Sequence, residues 1–287
     1  MISVVQVKYL KARIVVGSVK KLLFAMEGLL KEGRMAKMEH TRMTPRQKLP
    51  AFGEKDPQLQ ARVRTLFKDN FFSVMVTMLY GLVCLMYVPS VSNVLEATKK
   101  TNTRVGAFSR YLNTINHVIA WIGKDMLARR QSLLQVRMLH TRANRTAVAT
   151  YGQDGAMSQF DMVVTQWAFV GPFFIFPERV GISTITRRDL EAIAHYMYVV
   201  GYVMGVKDEF NLCAGSPEEV TRYCKFVHEK VILPCLEQPH SRAIDMATRL
   251  LNGMEHLNPF IRPSSFIACM LKAFKADSHR SERATHL

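Results

Sequence analysis

The sequence predicts an all-α protein. Helix-start signals recur along the chain, one stretch runs from Asp125 to Val148 with no glycine or proline, and alternating runs closed by hairpin turns are almost absent. With 287 residues, 48% of them hydrophobic, the chain can bury a sizeable core. Composition does not break between residues 55 and 270, and no repeat of solenoid length is visible, so one helical body is expected. The expected organisation is a basic arm and linker over 1–54, a helical domain over 55–276 and a polar tail over 277–287.

The elements follow in order. Pro45, Pro50, Gly53 and Pro57 mark a loop between arm and body. Asp56-Pro57 reads as a helix start with proline at the first helical position, and Leu59–Asp69 is amphipathic. Phe71–Pro89 carries no charge and sits at the length threshold for a membrane span. Ser73, Thr77, Tyr80 and Gly81 make it a weak span, and a buried core helix is the alternative. Pro89 interrupts it, with Ser92 as the expected cap of Asn93–Thr98. Asn102 or Thr103 opens the next helix, which carries Arg110 to Trp121.

The helix from Asp125 to Val148 carries His140 and ends before Gly152 and Gly155. Ser158–Val170 is helical up to Gly171-Pro172. Thr186 with Asp189 three residues on forms a capping pair for a helix through His195 to Gly205. Ser216-Pro217-Glu218-Glu219 is another start, with acids in the first turn. Gly253 and Pro259 bound the next helix, and Pro263-Ser264 opens the last.

Charge narrows the partners. The net charge is +16, and residues 1–50 hold eleven Lys/Arg against three Glu. Residues 99–150 hold ten Lys/Arg against one Asp. Such a balance suits nucleic acid, an anionic membrane surface or a bound anion, or is a solvated basic surface. Nucleic acid is set aside, because no helix-turn-helix, finger or RNP-type motif accompanies the charge. The arm is a candidate for peripheral contact with an anionic membrane; a mitochondrial presequence and an ordinary helical arm stay open beside it. Lysines break up its apolar stretches, which argues against a secretory signal. Five scattered cysteines with no CxxC or zinc spacing fit reduced thiols. The expected location is intracellular, with association at the ER or mitochondrion left open. Asn144-Arg145-Thr146 fits a glycosylation sequon but falls inside a helix and is discounted.

The chemistry concentrates in residues 110–140. Arg110, Asn113, Thr114 and His117 share one helical face. His140 follows in the run Val136-Arg137-Met138-Leu139-His140. A lone histidine on an apolar face is usually a packed core residue. A polar cluster later joined by a single imidazole is also what a haem pocket requires. Glu191 and His195 have metal-ligand spacing, but no second carboxylate/His set accompanies them, so a local contact is preferred.

These runs resemble the rubber oxygenase family, which includes the latex-clearing proteins and the ER-bound oxygenase mpaB. In that family Arg-x-x-Lys-Thr lies on the distal side of a b-type haem and Val-Arg-x-x-His-Ala supplies the proximal histidine. Arg110 and Thr114 match the first run, with Asn113 in place of lysine. His140 matches the ligand, followed by Thr141 rather than alanine. Met157–Gln166 is similar to the family's Asp/Thr-Gln segment. His195–Gly205 is similar to its His-x-Trp-Arg run, with Met197-Tyr198 replacing Trp-Arg.

The resemblance implies a globin-like helical bundle around a haem pocket, covering residues 55–235. It implies haem b (iron) as cofactor and His140 as metal ligand; Arg137, three residues before that ligand and on the same side of the helix, is a candidate propionate partner, with a structural salt bridge, for instance to Asp161, open beside it. Arg110, Asn113 and Thr114 take the oxygen-facing, catalytic role. Glu96 is a candidate for the family's distal glutamate. The implied reaction is O2-dependent oxidation or cleavage of a C=C bond in an apolar, isoprenoid or lipid-like small molecule. A non-catalytic haem- or lipid-binding relative, or a membrane-surface protein, is the alternative, kept open by Asn113 and Met197-Tyr198.

Overall fold

A computed structural model describes residues 57–123, 125–255 and 261–275. The basic arm 1–50 and the polar tail 277–287 lie outside the described residues. Within them the chain is helical with no strand, as the start signals predict.

Helix α1, Pro57–Asp69, turns through 91° into α2, Phe71–Tyr87. Helix α2 is a core element: Val74, Met78, Leu79, Val83, Cys84 and Met86 are all buried. A Cβ built on Gly81 would stand 2.1 Å from the carbonyl oxygen of Ala168, so glycine is what lets α2 cross α6 (Gln159–Ile175) at backbone contact. Among the described residues no single helix is long and apolar enough to cross a membrane, although α1 and α2 would pass together as a bent pair.

Helix α3 spans Pro89–Ala97. It begins four residues earlier than the Ser92 cap predicts. Pro89 occupies the first turn, where its missing N–H costs nothing, and Ser92 Oγ instead donates to the Pro89 carbonyl from inside the helix (2.9 Å). Helix α4, Arg104–Ile122, is capped by Thr103, whose Oγ1 accepts from Gly106 N (3.0 Å). Helix α5, Met126–Tyr151, is capped by Asp125, which accepts from Leu127 N and Ala128 N, and stops at Gly152 with φ 70°. Asn144 is buried in it and accepts from Met157 N (2.6 Å), so the sequon offers no exposed amide.

Helix α6 starts at a full capping box, Ser158 with Asp161. It passes through Pro172, the expected stop, to Ile175. The proline carbonyl still accepts from Phe176 N (3.1 Å), and the helix loses only one donor. Helix α7, Arg187–Met204, has the predicted Thr186–Asp189 box and ends at Gly205, φ 97°. Arg62 of α1 reaches the same carboxylate (2.6 Å), tying α1 to the start of α7. Helix α8, Pro217–Val227, opens on the Ser216–Glu219 box and runs through a π turn, His228–Ile232, into the short α9, Leu233–Glu237. Helix α10, Ser241–Met254, and α11, Pro263–Lys275, complete the bundle.

One apolar cluster joins all these helices. Trp167 at its centre is fully buried and donates Nε1–H to the Cys224 carbonyl (3.0 Å). Helix α6 lies against α2, α7 and α8; α5 lies against α3, α4 and α7. A chamber opens where these two groups meet.

Candidate functional site

The chamber has a volume of about 700 Å³ and is walled by α2, α3, α4, α5, α6 and α7. That lies within the usual range for small-molecule and cofactor sites. Its walls are mainly apolar: Leu82, Leu85, Val94, Leu95, Met162 and Phe169 line it. Four of the residues placed on one face by helical pitch, Arg110, Asn113, Thr114 and His117, reach it from α4. His140 reaches it from α5, with Val136, Leu139 and Ala143 of the same helical stripe.

His140 is half-buried and lines the chamber. Nδ1 is buried without a hydrogen-bond partner. Burial lowers its pKa to about 4, and the guanidinium of Arg110 pushes in the same direction. The imidazole is therefore neutral at neutral pH, which is the state that binds a metal. A metal-ligating histidine usually donates its second nitrogen to an acceptor; here packing alone orients the ring.

Arg110 is desolvated, which lowers its pKa to about 10, so it keeps its charge at neutral pH. Its Nη1 donates to Thr98 Oγ1 (3.1 Å), and Thr98 Oγ1 donates on to the Leu95 carbonyl (2.7 Å). Thr98 thus positions the guanidinium from the end of α3. Thr114 Oγ1 donates to the Arg110 carbonyl (3.1 Å), so its proton is engaged within its own helix. Asn113 is exposed at the chamber wall. His117 Nδ1 lies 2.8 Å from Ser132 Oγ, which also accepts from Trp121 Nε1 (3.0 Å), and burial lowers the His117 pKa.

Two expected partners stand elsewhere. Arg137 does not line the chamber; its Nη1 donates to the Val203 carbonyl at the end of α7 (2.5 Å). Glu96 accepts from Tyr151 Oη (2.8 Å) and pairs with Arg242 (3.0 Å), away from the chamber lining. No group of three or more His, Cys, Asp or Glu able to hold a metal ion occurs among the described residues, the Glu191–His195 pair included.

The Met157–Gln166 segment brings two further polar residues to the lining, Asp161 and Gln166. Asp161 is buried; desolvation raises its pKa against the opposing hydrogen bonds from Ser90 and Ser158. Its Oδ2 accepts from Ser158 N (2.9 Å) and Ser158 Oγ (2.8 Å), while Oδ1 is buried without a partner. Gln166 ties three segments together: Nε2 donates to the Met197 carbonyl (3.1 Å) and Asn211 Oδ1 (2.8 Å), and Oε1 accepts from Leu212 N (3.0 Å). Gly201 makes room for it, since a Cβ there would stand 2.7 Å from Gln166 Nε2. Lys99, Lys100 and Arg142 also line the chamber.

Compared with known proteins, residues 66–274 match the family model described as ER-bound oxygenase mpaB/B'/rubber oxygenase, catalytic domain. No curated protein and no solved structure matches the chain.

Proposed function

We infer the function from two premises: the chain belongs to the ER-bound oxygenase mpaB and rubber oxygenase family, and Arg110, Asn113, Thr114, His117 and His140 all line one chamber. The reading is a haem b-dependent oxygenase-like protein that oxidises or cleaves a C=C bond in an apolar, isoprenoid or lipid-like substrate with O2. One observation carries it: an unpartnered, neutral imidazole stands in the wall of a chamber of cofactor size that also holds a charged Arg110.

The residues suit a porphyrin. The chamber wall is largely apolar, and of the two imidazoles that line it, His117 is engaged with Ser132 while His140 has no hydrogen-bond partner. When bound, haem b supplies an iron centre at which dioxygen is activated.

The chain's own residues do the rest. His140 would hold the iron through a neutral ring nitrogen that has no proton to lose first. Arg110 presents a fixed positive charge where negative charge develops on oxygen, and Thr98 holds it in place before reaction. Leu85, Leu95, Met162 and Phe169 exclude water and accept an apolar chain. Asn113 supplies a neutral donor and acceptor where the family has a cation. That loss of charge, with Thr114 engaged to its own helix, supports the alternative of a non-catalytic haem- or lipid-binding relative.

Oxygen uptake by haemin-loaded protein separates the two. With a polyunsaturated or isoprenoid lipid the oxygenase consumes O2, and a saturated chain of equal length gives none. Arg110→Met lowers uptake by about 10²–10³ while haemin stays bound, the size expected for a fixed charge-stabilising donor. Haemin retention with no uptake on any unsaturated lipid leaves the carrier.

A further inference from the structure

The chamber ends in a cationic rim. Lys99 and Lys100, just beyond α3, and Arg142, on α5, line it and are exposed. Arg110 lies deeper. Against these four cations the lining holds one carboxylate, the buried Asp161. None of the three rim cations forms a salt bridge among the described residues. Glu96, the nearest acid in sequence to Lys99, is held by Arg242 and Tyr151. A cavity lined by one sign of charge focuses its field on the mouth.

Lys99 supplies a second observation. Among the described residues it is the one non-glycine with positive φ, at 55°. Its N–H closes α3 on the Glu96 carbonyl (2.8 Å), the position where glycine is the usual occupant because it has no Cβ to strain. The chain places a long cation there and aims it at the chamber lining. Complementing the α3 dipole accounts for a lysine near this end, but not for one at the strained position itself.

We propose that this rim is a subsite for the anionic head, carboxylate or phosphate, of a single-chain amphiphile whose apolar tail runs into the chamber. The inference rests on the function proposed above, which places an apolar substrate inside, and adds the head-group chemistry. Haem propionates carry the same charge and are the competing occupant, so the test separates them.

Calorimetric titration of the full chain, haemin-loaded and haemin-free, with dec-9-enoate and with dec-9-en-1-ol decides. The two probes share a tail and differ in the head. The acid binds about tenfold tighter, and the advantage disappears in 0.5 M salt and in Lys99→Gly/Lys100→Gln/Arg142→Gln. Lys99→Gly alone weakens the acid severalfold while Tm holds or rises by about 2–4 °C, because the strained residue has been relieved. A merely structural Lys99 would instead lower Tm and leave the preference intact. Equal affinity for the two probes in the wild type, or no binding of either at millimolar concentration, overturns the proposal. So does a triple variant that keeps the acid preference but loses haemin, which assigns the rim to the propionates. Acid preference in a chain that binds no haemin sinks the oxygenase reading and leaves the subsite standing; His140-dependent haemin binding without acid preference does the reverse.

Discussion

Protonating His140 in the folded chain is unfavourable, and the consequence is measurable. Burial, with Arg110 second, lowers its pKa from 6.5 to about 4. The unfolded chain carries an ordinary imidazole that takes up its proton near 6.5. Between those two values the unfolded state binds more protons, so stability falls as pH drops from 6.5 to about 4 and levels off below. The difference corresponds to about 3 kcal/mol. It is an upper bound, because His140 is only half-buried. Denaturant unfolding of wild type and His140→Gln at pH 7, 5.5 and 4.5 measures it. The wild type loses up to that amount more than the variant over this range. In parallel, the His140 Cε1–H resonance stays that of a neutral ring down to about pH 5. Arg110→Met raises the His140 pKa only partway, since burial, the larger cause, remains. A ring titrating near 6.5, or identical pH slopes in the two proteins, refutes the buried, neutral imidazole.

Three further outcomes follow from the packing. Gly81→Ala drives a methyl into the Ala168 carbonyl at backbone contact; with about 3 kcal/mol of overpacking, Tm falls by about 6–10 °C in a thermal melt. Gln166→Leu strands Leu212 N in the core and takes one of two donors from Asn211 Oδ1, which keeps Cys213 N; it costs about 3 kcal/mol by denaturant titration, whereas a loss under 1 kcal/mol would show that the network is dispensable. Thr98→Val releases Arg110 without touching the chamber's size. Oxygen uptake of the haemin-loaded protein drops about tenfold with haemin affinity unchanged, and an unaltered rate removes Thr98 from its positioning role.

The helical fold was legible because its starts are local chemistry. The Thr186–Asp189 and Ser216–Glu219 boxes and the proline at position 57 are written in four-residue windows, and each marks a helix where expected. Boundaries failed where a proline was read as a stop: α6 passes Pro172, and Pro89 starts α3 rather than breaking into a loop. Convergence of Arg110, Asn113, Thr114 and His117 on one chamber follows from helical pitch alone. Their meeting with His140 does not, and came from the family-like spacing of the two runs. Arg137 shows the limit of that reasoning. It lies one turn from His140, but its long side chain swings to the Val203 carbonyl on α7. Thr98 and Lys99 gave no sequence signal, because their roles depend on how the end of α3 meets α4 and on one backbone angle. Asp161 was visible only as part of a motif; its burial depends on packing among α3, α5 and α6.

Haemin titration of wild type and His140→Ala, followed by absorbance, tests the assignment most directly. The wild type takes up one equivalent and develops a sharp Soret band. The alanine variant keeps its helical circular dichroism, loses the band and regains it when free imidazole is added to fill the space left by the ring. The same band in both proteins, or none in either, contradicts His140 as the residue that holds iron in this chamber.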